Sequence, residues 1–439
     1  MTRPSFAAAF AAMCMLLVSC STTPAPATTG TALDRLAEDY VQLTLGIGEL
    51  EPGYVDAYYG PEAWAAEAKA HPRTLPALRA ATQDLLQRIE SIDGNALAPL
   101  ERRRRAFLAA QLTAARTRLQ MLAGEKPGFE DEARGLFGVR LQLQPLSAYD
   151  PVLARIEQLL PGPGPLWQRM DAESSRSAIA RDRLEPVMRA AIAECRRRTL
   201  QHIALPPGER FTLEFVTGKA WSGYNWYQGN ATSLIQINTD LPVLMGRAVD
   251  LGCHEGYPGH HVLNTLLEQH LYKDRGWIEF TVYPLYSPQS FLAEGSANYG
   301  IELAFSDAER LAFESQVLYP LAGLDPKQAA RDLDLQRARA GVAGARMTIA
   351  REYLDGRIDR ATAVALAQKY QLLSPQRAEQ SIGFTDKYRS YVINYGSGLD
   401  QVRTYVEAAG PGVEQRWAAM ERILSEPTIP SDLAVAPPH

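Results

Sequence analysis

Three of the chain's seven histidines fall within eight residues, His254-Glu255-Gly256-Tyr257-Pro258-Gly259-His260-His261. Neutral imidazole is the commonest protein ligand of zinc. A His-Glu pair followed by further His on a helix is the pattern that holds a hydrolytic zinc ion beside its general base. The usual second His stands four residues after the first, but here that position is Pro258. On a straight helix His260 would lie about 120° round the axis from His254, and His261 would return to the same face about 10 Å further along. Neither could share an ion whose ligand atoms sit about 2.0–2.1 Å from it. Pro258 cannot donate back to residue 254 and pushes Tyr257 away from helical angles, while Gly259 permits a turn that other residues resist. A break or bulge absorbing two residues therefore places His260 where the second ligand belongs, with His261 as the alternate.

Two histidines do not complete a zinc site, which needs a third ligand and an open position. Glu294 is the third candidate, a carboxylate among Phe291, Leu292 and Ala293, 34 residues beyond His260. Burying it is costly unless it is paired or binds a metal. Glu302 lies about 80° away around the same predicted helix and reads as a supporting or surface residue. Glu255 is then the general base. Tyr395 is the candidate oxyanion donor, with Tyr391 beside it for the substrate, and Arg403 is a candidate bidentate partner for a terminal carboxylate.

The elements that must position these residues are mostly helical. From residue 31 to about 205, apolar residues recur at three- and four-residue spacing, clearest over 33–50, 75–92, 97–122 and 177–202. The character changes near residue 207. FTLEFV at 211–216 and ATSLIQIN at 231–238 read as strands around an aromatic, glycine-rich loop at 218–229. Asp240 or Thr239, with Pro242 following, reads as the cap of a helix leading to His254. The helix resumes at 262–271, 290–305 forms another, and 307–426 is nearly all helical. An edge strand beside a metal suits a peptidase, because an extended substrate can pair with it.

The N-terminus carries Arg3, an apolar run from Phe6 to Val18 and then LVSC, which reads as a lipoprotein signal peptide over 1–20 with Cys20 lipidated. Residues 21–32 form a tether, 33–206 an N-terminal helical region, 207–426 the metal-site region and 427–439 a loose tail. The chain is expected in the bacterial periplasm, held to the membrane (the outer one favoured) through Cys20 alone. A net charge of −5 without a basic stripe excludes nucleic acid as a partner. The Glu101–Arg105 run, ERRRR, reads as a solvated helix start. Cys195 and Cys253 are left beyond the signal, and whether they pair is open. Cys253 reads as a packing residue and not a ligand, since neighbours on a helix point about 100° apart.

HEGYPGHH at 254–261, EGSANYGIE at 294–302 and the late stretch from Ile358 to Arg403 together resemble the bacterial domain-of-unknown-function family numbered 885, many of whose members look like lipoproteins. That family is similar to the mostly helical zincin metallopeptidases, including thimet-type oligopeptidases and helical metallocarboxypeptidases. The resemblance implies a deep cleft between helical halves with the metal on its floor. The chain departs from the pattern at Ser296, where the family carries Trp, and at YVINYG, where it carries a Pro-Gly-Gln-like turn. The sequence thus points to a mostly α, zincin-like fold with a small sheet beside the metal helix, one zinc ion, and a short peptide as substrate. The competing readings are hydrolysis of another amide, such as a cell-wall fragment or a modified amino acid, and a catalytically silent ligand-binding lipoprotein.

Overall fold

The computed structural model describes residues 31–434. The signal segment, Cys20 and residues 21–30 of the tether lie outside them, as do 435–439. The fold is mostly helical, with one three-stranded and one two-stranded sheet. Among the described residues no helix is long and apolar enough to cross a membrane.

The first helix, Ala32–Leu50, begins inside the expected tether, because Thr31 and Asp34 cap each other across its first turn (3.2 and 2.8 Å). Its Leu33, Leu36, Ala37, Tyr40 and Val41 are buried at the predicted helical spacing. The helices Leu75–Ser91, Pro99–Leu122 and Arg181–Thr199 lie close to their expected positions. The ERRRR run is not simply solvated. Arg104 is buried, with Nε and Nη2 donating to the buried Glu279 at 2.6 and 3.0 Å, and Nη1 donating to Asp34 at 2.6 Å. A charge removed from water needs such partners.

Residue 206 does not divide two bodies. One apolar core runs from Leu33 in the first helix to Leu433 near the C-terminus. A second, smaller core joins Leu153, Ile156 and Met170 of the N-terminal half to Leu335, Ile349, Ala367 and Ile382. Of the expected loose tail, the described part to residue 434 is docked: Pro430 and Leu433 are buried, and the Pro430 carbonyl accepts from Gln401 Nε2 at 2.6 Å. A cavity of about 1650 Å³ is lined by residues of both cores, including Met170, Leu335 and Val342 from the smaller and Leu251 and Tyr283 from the larger.

The strands are β1 (Val55–Tyr58), β2 (Arg210–Val216), β3 (Gly223–Tyr227), β4 (Thr232–Asn238) and β5 (Val282–Pro284). β2 and β4 are the two expected from sequence and pair in parallel, Leu213 opposite Ile235. β3 lies within the segment read as a loop and pairs antiparallel with β4, so the sheet order is β2-β4-β3 and β3 is an edge. β1, inside the region read as helical, pairs with β5. Asp240 caps no helix. Its carboxylate accepts from the backbone of Gly218 and Lys219 (2.8–3.3 Å), pinning the turn before β3, and the next helix is Met245–Leu251.

Candidate metal centre

The helix Met245–Leu251 runs directly into a wider π-helical turn, Gly252–Gly256, carrying His254 and Glu255. The Tyr257–Pro258 peptide bond is cis, and a new helix starts at His260 and runs to Leu267. The break absorbs the two extra residues. Gly259 sits at its tightest point, where a Cβ would lie 1.8 Å from the His254 carbonyl oxygen. Only glycine fits there.

The break brings His260 Nε2 to 3.2 Å from His254 Nε2. Glu294, from the helix Pro288–Ala304, reaches in so that its Oε2 is 3.1 Å from His254 Nε2 and 3.7 Å from His260 Nε2. Ligands about 2.05 Å from a tetrahedral ion lie about 3.3 Å from one another, so these separations fit one ion. Glu294 Oε2 is buried and has no hydrogen-bond donor, as expected of an oxygen shaped for a metal. Burial raises the Glu294 pKa, but the His254 and His260 rings facing it outweigh burial and hold the carboxyl far below its usual range. Glu255 also brings a carboxylate oxygen within 4.8 Å of ligand atoms of both histidines. Glu294 makes the closer approach, which leaves Glu255 beside the cluster, lining the same cavity.

His261 is turned away. Its ring is fully buried, with Nδ1 2.8 Å from Ser233 Oγ and Nε2 2.9 Å from Glu209 Oε2. Both nitrogens are engaged, so the alternate ligand of the sequence reading has no free donor atom. Glu209 also accepts from Tyr257 Oη (2.6 Å) and pairs with Arg196 (2.5 Å). Ser233 Oγ donates to Asn225 Oδ1 (3.1 Å), and Asn225 Nδ2 donates to the Glu255 carbonyl (2.7 Å). A buried polar chain thus anchors the Glu255 backbone through β3 and β4. Cys195 and Cys253 form a disulfide joining the helix Arg181–Thr199 to the residue before His254.

Two further groups hold the ligands. Asn298, one helical turn after Glu294, accepts from His254 Nδ1 at 3.2 Å, which leaves Nε2 bare for an ion. Tyr391 donates to Glu294 Oε1 at 2.8 Å. Its hydroxyl is therefore spent on the ligand carboxylate, and Tyr391 is a positioning residue and not the substrate contact expected of it. Tyr395 lines the cavity beside Glu294, where burial and the nearby carboxylates raise its pKa and keep it a donor. Arg403 is placed elsewhere. Its guanidinium is bidentate to Glu302 (3.0 and 2.6 Å) and bound to Asp400 (3.0 Å), so the carboxylate-binding role falls away.

Sequence reasoning missed Asp56 and Arg346. Asp56 comes from β1, accepts from Tyr224 Oη at 3.1 Å, and lines the cavity; burial lifts its pKa to about 6 against the opposing hydrogen bond. Nothing in a short strand amid helices marked it. Arg346 also lines the cavity, 4.8 Å over the Phe384 ring and 5.6 Å over Tyr395, and its buried Nε has no partner. Burial lowers its pKa, with Tyr395 and Glu294 pulling the other way. Glu255 is raised by burial, with His254 and His260 opposing.

No protein-family model matches the chain, and no curated protein matches it. Solved structures do. A presumed lipoprotein from Colwellia psychrerythraea aligns with TM-score 0.51 and 16% identity over 92% of this chain and 74% of that one. Two others are more distant. A presumed lipoprotein of unknown function from Shewanella oneidensis has TM-score 0.46 and 13% identity over 90% and 87%. An M32 carboxypeptidase from Deinococcus radiodurans R1 has TM-score 0.38 and 16% identity over 90% and 89%. At such identities the first likeness speaks for the fold alone.

Proposed function

We propose that the chain is a zinc-dependent hydrolase that cleaves amide bonds in short peptides. The observation that carries this reading is the convergence of two imidazole Nε2 atoms on a buried, otherwise unbonded Glu294 oxygen, at separations of 3.1–3.7 Å. His254, His260 and Glu294 hold the ion, which when bound supplies Lewis acidity to a water and to the substrate carbonyl. Glu255 accepts the proton of the attacking water and delivers it to the leaving nitrogen; its raised pKa suits both halves of that task. Tyr395 and Arg346 are the donors placed for a developing oxyanion. β3, whose outer edge is unpaired, turns one face on Glu255, so close that a Cβ on Gly223 would lie 2.6 Å from Glu255 Oε1. An extended peptide laid along that edge gains main-chain hydrogen bonds next to the base. Cys20, lipidated, tethers the body to the membrane on the periplasmic side.

The test is metal content followed by a peptide-library digest, comparing wild type with Glu255→Gln. The reading expects about one zinc per chain in both and cleavage in wild type only. Wild type that takes up no metal when zinc is supplied, or cleavage indifferent to Glu255→Gln, would overturn it.

A further inference from the structure

The cavity wall leading away from Glu255 carries arginines that the catalytic reading does not use. Arg247 lies on the helix Met245–Leu251, Arg339 on Ala329–Ala340 and Arg377 on Pro375–Tyr388, and all three line the cavity. The first two helices meet where Gln336 Nε2 donates to Asp250 at 2.9 Å. Arg339, three residues after Gln336, is on the same face. Three other cavity arginines are neutralised: Arg310 by Asp250 and Glu314, Arg337 by Asp307, and Arg198 by Glu194 and Glu309. Arg247 makes two long contacts, to Asp250 and to Ser222 Oγ, each 3.4 Å. Among the described residues, Arg339 and Arg377 have no carboxylate within ion-pair distance. The field of Asp171 reaches both without forming a pair.

The surplus is one of donors generally. Gln371 Nε2 lies buried without an acceptor, while its Oε1 is taken by Ser381, one turn from Arg377 on the same helix. Like charges also crowd one another here. Burial and the fields of Arg377 and Arg247 bring the Arg339 pKa down to about 10, still charged at neutral pH. Half-buried cations kept together with no anion are costly, and donors with no acceptor add to that cost.

We infer that this wall is an anion subsite, with Arg339, Arg377 and Arg247 binding a carboxylate of the substrate at a distance from the bond being cut. It rests on the hydrolase reading for the word substrate but not for the binding. The carboxylate belongs either to a peptide C-terminus or to an acidic side chain, and planar guanidinium groups suit both.

The experiment uses Glu255→Gln protein for binding by calorimetry and wild type for turnover. Both take one set of peptides differing only in a free or amidated C-terminus and in Glu or Gln at one position. Anionic members bind tighter than their neutral twins by roughly ten- to a hundredfold, the worth of one or two charge-assisted hydrogen bonds. Adding Arg339→Gln and Arg377→Gln collapses that ratio, whereas Arg339→Lys retains part of it, separating lost charge from lost fold. Loss on amidation assigns the terminus, and loss on Glu-to-Gln exchange assigns the side chain. Equal binding of charged and neutral peptides, a ratio that survives in the double variant, or no binding of any peptide overturns the inference. Charge-dependent binding without cleavage by wild type sinks the hydrolase reading and leaves the subsite standing.

Discussion

His260 and His261 are adjacent, yet the structure gives them separate work, and truncating each to alanine separates it. In His261→Ala the protein loses a hydrogen bond to a buried carboxylate (2.9 Å to Glu209) and a second to Ser233 (2.8 Å), and a fully enclosed ring leaves a void. A bond to a charged group is worth about 1.5–3 kcal/mol, and with the void the loss is about 3–5 kcal/mol. At about 2.1 cal/mol/K per residue, the 404 described residues give an unfolding entropy of about 0.85 kcal/mol/K. The melting temperature should therefore drop by about 4–6 °C. Metal content should stay at wild-type level, because no atom of that ring faces Glu294. His260→Ala should do the reverse, staying folded while removing one of three ligand atoms and the bound metal with it. The assay pairs thermal unfolding, followed by circular dichroism on metal-stripped protein, with metal analysis after zinc is supplied and excess removed. A folded His261→Ala protein without metal, beside a His260→Ala protein that keeps it, would refute the geometry of the break and the ligand set together.

Glu255→Gln should retain the ion and lower turnover by roughly 10²–10⁴-fold, measured as peptide hydrolysis at matched metal content; full activity would remove Glu255 from the chemistry. Tyr391→Phe removes the donor to Glu294 Oε1 and should weaken metal affinity by roughly 10–100-fold in a chelator competition, leaving the fold intact. Glu209 has its pKa held at about 2, because hydrogen bonds from His261, Tyr257 and Arg196 outweigh burial, against an ordinary value of 4.5. Its stabilisation is thus complete above about pH 4.5 and is lost as pH falls toward 2. Glu209→Gln should flatten that part of the stability-against-pH curve, and an unchanged acid limb would count against the network. The Cys195–Cys253 bridge closes a segment of 58 residues, worth up to about 4 kcal/mol by chain entropy. Replacing both cysteines by alanine should lower stability by about 2–4 kcal/mol in denaturant titration.

The helices were readable because Leu33, Leu36 and Tyr40, and their equivalents further on, repeat at helical spacing whatever they pack against. The necessity of a break between His254 and His260 was readable too, from geometry and Pro258. The choice of His260 over His261 was not legible, because it depends on Glu209 and Ser233, which come from other elements. β3 was hidden because its Gly223-Tyr224-Asn225-Trp226-Tyr227 mixes glycine, asparagine and aromatic residues, so no apolar alternation survives. Arg403 and Arg346 look alike in a sequence. What separates them is Glu302, 101 residues from Arg403 and pairing with it alone of the two. Ion pairing across such distances leaves no local trace.

The disulfide beside His254 ties the quality of the metal site to the history of the sample. Thiols stay reduced in the cytosol and pair in oxidising compartments. The same polypeptide recovered from the two environments is therefore two materials, one with the turn before His254 bolted to the helix Arg181–Thr199 and one with that turn held by packing alone. Zinc titrations on chain purified from a reducing cytosol would report the looser of the two. Free-thiol content thus belongs beside metal content in the characterisation of every preparation.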